Sequence, residues 1–426
     1  MFWAAWLGWG FDACDGLLFN YVAPSCLPTL VGIPLGTPEA QAVTALWTGR
    51  LTSLLLVGWA VGGIVFGWVA DRVGRSRTLV LTISLYSLGT ALCAVAPNLA
   101  FLILFRAIAS LGIGGEWAAG ASLVAEIVPP AKRVAAGALL YCAAPVGILG
   151  AAAVNLLVAG WLMPGQSAES WRWVFACGAI PALVALLARL FLREPEVTLV
   201  PEKASIAELF RKENRYLTLS GVLTAVTALM CWWSMNAFMP LLAGQLAQAF
   251  GDSLHLTRPV VTLLQEQWKL QSTLLWCLGG LLGTLATIPI ANRFGRRAMF
   301  LSYFLGSVAL IMLSFGLDLG PQARLWCLFP MGLTIFGLLG SFTFYLPELF
   351  PAHIRATGSG FCYNVGRVLT AFGPLVIGQV AQHGPASVLK ALFWIFVIPL
   401  VGALCMPLIV ETHPGLARRP SQKPTT

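Results

Sequence analysis

The chain has 426 residues, of which 58% are hydrophobic and 10% charged, with a mean hydropathy of +0.81. Soluble domains carry about 25% charge, so composition excludes a water-soluble enzyme of any class. The net charge of +9 does not indicate nucleic acid, because the basic residues recur in short clusters between apolar runs.

Those runs predict twelve membrane-crossing helices, at roughly 3–27, 47–69, 78–97, 99–124, 134–162, 171–192, 217–245, 269–291, 298–317, 323–346, 357–382 and 386–410. The first ten residues, MFWAAWLGWG, lack a basic n-region and a small-residue cleavage site, so a first span is expected rather than a signal peptide. Because that span begins almost inside the bilayer, the start codon is expected to lie further upstream. An even count places both termini on one side. With the termini inside, the cytoplasmic segments hold Arg72, Arg75, Arg77, Lys132, Arg133, Lys203, Arg211, Arg215, Arg293, Arg296, Arg297 and Arg355, among others. The outside holds only Arg50, Arg172, Arg258, Lys269, Arg324 and Lys390, so the positive-inside rule fixes the orientation.

The ten cysteines are scattered singly, with no CxxC or Cys/His cluster, which indicates neither a disulfide framework nor zinc. No cofactor is expected. Tryptophans near the outer ends (Trp47, Trp161, Trp171, Trp268, Trp326) read as an interfacial belt.

Residues 193–216 form the one long charged stretch and read as a cytoplasmic linker. They divide the chain into six-helix bundles at 1–192 and 217–410, with a cytoplasmic tail at 411–426. The halves repeat. Asp71-Arg72-Val73-Gly74-Arg75 matches Asn292-Arg293-Phe294-Gly295-Arg296, and Glu126-x-x-Pro129-x-x-x-Arg133 matches Glu348-x-x-Pro351-x-x-x-Arg355. Two motifs at nearly one offset, about 221 residues, imply a duplicated six-helix unit.

The pattern Gly67-x-x-x-Asp71-Arg72-x-Gly74-Arg75-x-Arg77 after span two resembles the signature loop of the major facilitator superfamily, with its degraded copy after span eight. Phe11-Asp12-Ala13-Cys14-Asp15, the GGEWAAG stretch of span four and CYNVGR of span eleven are most similar to the proton-coupled organic-acid branches. That resemblance implies an all-α polytopic fold and alternating access between two pseudo-symmetric halves, with symport of protons and a sialate, lactate or aromatic acid. A monomer in the plasma (inner) membrane is expected.

The repeated motifs all lie at cytoplasmic helix ends and are assigned to gating: Gly67, Asp71, Arg72, Gly74, Arg75, Arg77, Arg293 and Arg296, and the pairs Glu126 with Arg133 and Glu348 with Arg355. Asp71 can face a helix N-terminus, which the resemblance places on span eleven, while Gly67 and Gly74 permit close approach and a tight turn. The plainer reading is that the arginines only anchor topology and the Glu/Arg pairs are surface pairs.

The unrepeated charges lie inside spans. Asp12 and Asp15, spaced i, i+3 on one helical face, are candidates for proton coupling with Glu116, since two close carboxylates resist joint ionisation. The alternative is a structural pair capped by hydrogen bonds. At 1.5 Å rise per residue, Asp15, Glu116 and Arg367 lie roughly 15–18 Å along their helices, near the middle of a ~30 Å core. Arg367, with Asn364 and Tyr363 beside it, offers a planar two-point match to a carboxylate and is the best candidate to hold an anionic substrate; the competing reading is a counter-ion for Glu116 or Asp15. Arg106 reads either as a coupling or substrate contact or as snorkelling to headgroups, and Asn236 as a neutral cavity contact. Trp232 and Trp233 read as packing residues that would also suit an aromatic cargo. A sugar or polyol carrier and a non-transporting sensor are the competing functions. A membrane enzyme would need a clustered nucleophile, base or metal set, whereas the four histidines are isolated.

Overall fold

The computed structural model describes residues 2–73, 75–127, 133–191, 205–351 and 353–413; within them every regular element is helical. The first four crossings are α1 (Phe2–Val31), α2 (Pro38–Val73), α3 (Arg75–Ala94) and α4 (Leu99–Ile127). The fifth combines α5 (Arg133–Tyr141) and α6 (Ala143–Asn155) and ends in a wider π-helical stretch, Leu156–Leu162; α7 (Ser167–Phe191) is the sixth. A short 3-10 turn (Ile206–Phe210) precedes α8 (Arg215–Ser253), α9 (Arg258–Phe294) and α10 (Arg296–Gly316). The tenth crossing is built from α11 (Pro321–Trp326), α12 (Leu328–Gly340) and α13 (Phe342–Leu349). The eleventh joins α14 (Arg355–Thr370) to α15 (Phe372–Ala381), and the twelfth joins α16 (Pro385–Trp394) to α17 (Val397–Leu404). Among the described residues, eight helical units are long and apolar enough to cross a membrane, and two shorter apolar helices accompany them. The protein is an all-α membrane protein with two pseudo-symmetric six-helix bundles.

Local sequence explains the starts and breaks. Thr37 caps α2, its Oγ1 accepting from the Ala40 backbone N–H at 3.1 Å, with Pro38 at the first helical position, where no N–H is needed. Asn98 caps α4 by accepting from Phe101 N–H at 3.2 Å. Four breaks fall three or four residues before a proline, at Cys142 before Pro145, Cys327 before Pro330, Ala371 before Pro374, and Ile395 before Pro399. Proline cannot donate to the carbonyl four residues back and clashes with it, so the crossings bend there. Gly295, between α9 and α10, has φ 89°, a left-handed conformation that costs glycine little; in the sequence repeat it corresponds to Gly74.

Helices α8 and α9 have 39 and 37 residues, well beyond the roughly 20 needed to span. They therefore run past the bilayer at the end away from the basic loops. This changes the reading of several charges there. Lys269 is buried within α9 and paired to Glu266. Arg172 donates to the carbonyls of Ala94 and Ala96, at 2.9 and 3.0 Å, and Arg324 to those of Ser314 and Leu317, at 3.0 and 3.1 Å. Both arginines satisfy carbonyls orphaned at helix C-termini. Trp171 and Trp268 are buried too, against Phe175 and Phe250, while Trp161 and Trp326 are exposed as a belt requires.

The two halves meet along α2 with α14 and α15, α6 with α9, α5 with α12 and α13, and α1 with α8. Ser53 of α2 donates to the Ala371 carbonyl at 2.6 Å, just where the break before Pro374 leaves a carbonyl available.

Candidate substrate cavity

A small cavity lies between the two halves, bounded by spans one, two, five, seven, ten and eleven. Its wall includes Trp9, Asp12, Trp59, Tyr141, Trp232, Trp233, Tyr363 and Arg367, with aliphatic contacts from Leu17, Ile148, Leu229 and Leu339. Both halves contribute.

Arg367 is 2% exposed. Its guanidinium lies 4.3 Å from the Trp59 ring centroid and 4.7 Å from that of Tyr363, and Nη1 donates to Asn364 Oδ1 at 3.4 Å. Asn364 is itself held by donating to the Gly360 carbonyl at 3.0 Å. Aromatic faces stabilise a desolvated cation through their quadrupole. Tyr141, from span five, faces the same guanidinium. The indoles of Trp59 and Trp233 pack edge to face at 5.9 Å, and Trp233 and Trp232 at 4.9 Å, giving a wall that crosses from span two to span seven. The Nε1 donors of Trp59 and Trp232 are buried and find no acceptor among the described residues.

The two aspartates of span one are separated by the structure. Asp12 lines the cavity. Asp15 does not; it is buried, and neither carboxyl oxygen finds a hydrogen-bond partner among the described residues. Arg106 is buried and donates to the Gly16 carbonyl at 2.9 Å, so it does not snorkel, and it does not reach the cavity wall. No hydrogen bond joins the Asp15 carboxyl to Arg106 or to Arg367 among the described residues, so the expected role of Arg367 as counter-ion of Asp15 is corrected.

The family can now be decided by comparison. The sequence profile of the Major Facilitator Superfamily matches residues 16–374. The chain belongs to that superfamily. It is 29% identical over 389 residues to a probable 4-methylmuconolactone transporter of Cupriavidus pinatubonensis, covering 90% of this chain and 83% of that one. It is 29% identical over 391 residues to the cis,cis-muconate transport protein of Acinetobacter baylyi, covering 88% and 85%. A solved D-xylose–proton symporter superposes with a TM-score of 0.73 at 17% identity, covering 98% of this chain and 99% of that chain, which shows the shared fold. This facilitator is an integral membrane transporter working by alternating access, not an enzyme.

At the basic-loop end of the transporter, Arg296 makes a two-point contact with Glu348, Nε to Oε2 at 3.0 Å and Nη2 to Oε1 at 2.8 Å. Glu348 also accepts from Thr412 Oγ1 at 2.6 Å. The expected pairing of Glu348 with Arg355 is corrected: Arg355 Nε donates to the Pro347 carbonyl at 3.0 Å, one of the carbonyls exposed where α13 ends. Glu411 bridges the same cluster, accepting from the backbone N–H groups of Arg296 and Arg297, each at 2.9 Å, and of His413 at 2.8 Å. Burial pushes its carboxyl pKa up, but these backbone donors together with the Arg296 charge outweigh it and hold the pKa below the ordinary value. Arg72 and Arg293 are exposed and lie over neighbouring rings, Trp68 at 3.6 Å and Phe294 at 5.4 Å. Arg77 is exposed as well. No described atom lies within 4 Å of where a β-carbon on Gly67 would sit, so close approach does not explain that glycine. Gly74 and the side chains of Asp71, Arg75, Glu116, Glu126 and Arg133 lie outside what the structure describes.

Asn236 is buried in α8 but is not part of the cavity wall. Trp59 and Tyr141, which are, carry no signal in the sequence. An aromatic residue amid an apolar span is as compatible with lipid as with a cavity, and only the packing of spans two and five turns them inward.

Proposed function

We propose that this transporter carries a small organic anion together with protons. The observation that carries the reading is Arg367: a buried guanidinium in the cavity wall, flanked by Trp59 and Tyr363. A cation kept desolvated on aromatic faces is suited to a carboxylate, which it can grip at two points. The indole wall favours a planar cargo, stacked against Trp59, Trp232 and Trp233, and an acceptor elsewhere on that cargo would satisfy the unpartnered indole N–H groups. The two relatives named for muconate and a muconolactone support an organic acid as the cargo.

Asp12, on the wall, and the buried Asp15 supply the protonatable groups; Glu116 completes the coupling set. The basic loops face the cytoplasm with both termini, the membrane is the plasma or inner membrane, the functional unit is a monomer, and the bundles divide at residues 193–216. The basic-end contacts of Arg296, Glu348 and Glu411 brace the second half as it rocks.

Purified protein in liposomes, tested by counterflow with benzoate, muconate, lactate, sialate, phosphate and hexoses with and without a pH gradient, checks this reading. Planar acids should exchange and an inward proton gradient should drive their accumulation. Hexose uptake indifferent to pH would overturn it.

A further inference from the structure

At the end away from the basic loops, a polar cluster joins spans one and five to span eight. Glu266 and Lys269, three residues apart on α9, form an ion pair at 2.7 Å, with side chains only 12% and 7% exposed. From span five, Asn155 Nδ2 donates to Glu266 Oε2 at 2.5 Å. From span one, the Tyr21 carbonyl accepts from Lys269 Nζ at 3.4 Å, and the Tyr21 hydroxyl meets Thr273 Oγ1 at 2.9 Å. Tyr21, Asn155 and Thr273 are all buried.

The distribution of charge is the informative part. Both ions belong to one helix, and among the described residues the first half offers them an amide and a carbonyl. Parting the halves here separates no opposite charges, because Glu266 and Lys269 leave together; what is exchanged for water is a set of hydrogen bonds from neutral groups. A salt bridge strung between the halves would instead demand charge separation at every turnover. A buried pair also needs hydrogen bonds to satisfy its remaining donors and lone pairs, which is what Asn155 and Tyr21 provide when the halves close.

We propose that Glu266 and Lys269, received by Asn155 and Tyr21, form the clasp that closes this end of the transporter during its cycle. The proposal concerns closure alone and does not depend on which substrate is carried.

The test uses membrane vesicles of both orientations and a variant with the ten native cysteines replaced, carrying Asn155→Cys and Glu266→Cys, plus Ala144→Cys on the cavity wall as a reporter for a membrane-impermeant maleimide. Oxidation should cross-link the pair and cut labelling from the clasp side at least tenfold, while labelling from the basic-loop side persists; reduction should restore it. Failure to cross-link, or equal clasp-side labelling in oxidised and reduced protein, would overturn the proposal. A second set, Asn155→Ala with Tyr21→Phe in the same reporter background, keeps the ion pair and the Tyr21 carbonyl on Lys269 but removes the other two hydrogen bonds of the cluster that join the halves, Asn155 to Glu266 and Tyr21 to Thr273. Clasp-side labelling should then rise severalfold, and an unchanged rate would count against the clasp.

Discussion

The guanidinium of Arg367, on span eleven, lies 4.3 Å from the ring centroid of Trp59, on span two. These residues come from opposite halves, so this cation–π contact joins the two bundles across the cavity.

Trp59→Ala removes both the cation–π support and one face of the wall. A desolvated cation–π contact contributes about 2 kcal/mol, so organic-acid affinity should fall about 30-fold. Trp59→Phe keeps a ring but loses the N–H; a single hydrogen bond of ~1 kcal/mol corresponds to a loss of about fivefold. Isothermal titration with the best acid from the counterflow panel separates the two.

Asp15 and Arg106 are both buried, and their substitutions should fail differently. Asp15→Asn should preserve exchange of the acid while abolishing accumulation driven by a pH gradient, measured in liposomes. Arg106→Leu removes the hydrogen bond to the Gly16 carbonyl and the positive charge nearest Asp15, and thermal unfolding in detergent should show it to be the more destabilised variant.

Glu411 gives a pH dependence with a definite sign. Its folded pKa is below its ordinary value, so its contribution to stability is fully present above that ordinary value and is lost as the pH falls through the lower, folded one. The unfolding temperature of the wild type should drop more steeply on acidification than that of Glu411→Gln. Parallel curves would remove Glu411 from the basic-end cluster.

Gly49 tests the contact between spans two and eleven. A β-carbon there would run into the Pro374 carbonyl and lie 3.1 Å from Gly378 Cα, both backbone atoms that cannot swing aside. Overpacking of this kind costs about 1–3 kcal/mol. Gly49→Val should hold the contact open and raise maleimide labelling of an Ala144→Cys reporter from the side away from the basic loops.

Much of the architecture was legible because it rests on length and repetition: an apolar run of about 20 residues can only cross the bilayer, and Gly74 recurs as Gly295. Arg367 was legible because a buried charge in a span is costly enough to mark itself. Partners were harder. Motif spacing joined Glu348 to Arg355, but Arg355 is drawn to the carbonyl where α13 ends, and Glu348 is gripped across the fold by Arg296. Asp12 and Asp15 share a helical face by spacing, yet a step of three residues still turns the helix enough to place one on the cavity wall and leave the other off it. Lys269 read as a loop residue because the apolar run starts near it, while α9 begins at Arg258, more than two turns earlier.

The central claim is that Arg367 grips a carboxylate at two points. The direct test is binding and counterflow of the best planar acid by Arg367→Lys, in protein whose unfolding temperature is within a few degrees of the wild type. Lysine keeps the charge but not the planar fork, so affinity should fall at least 30-fold, about 2 kcal/mol. Affinity and exchange at the wild-type level in that variant would contradict the account.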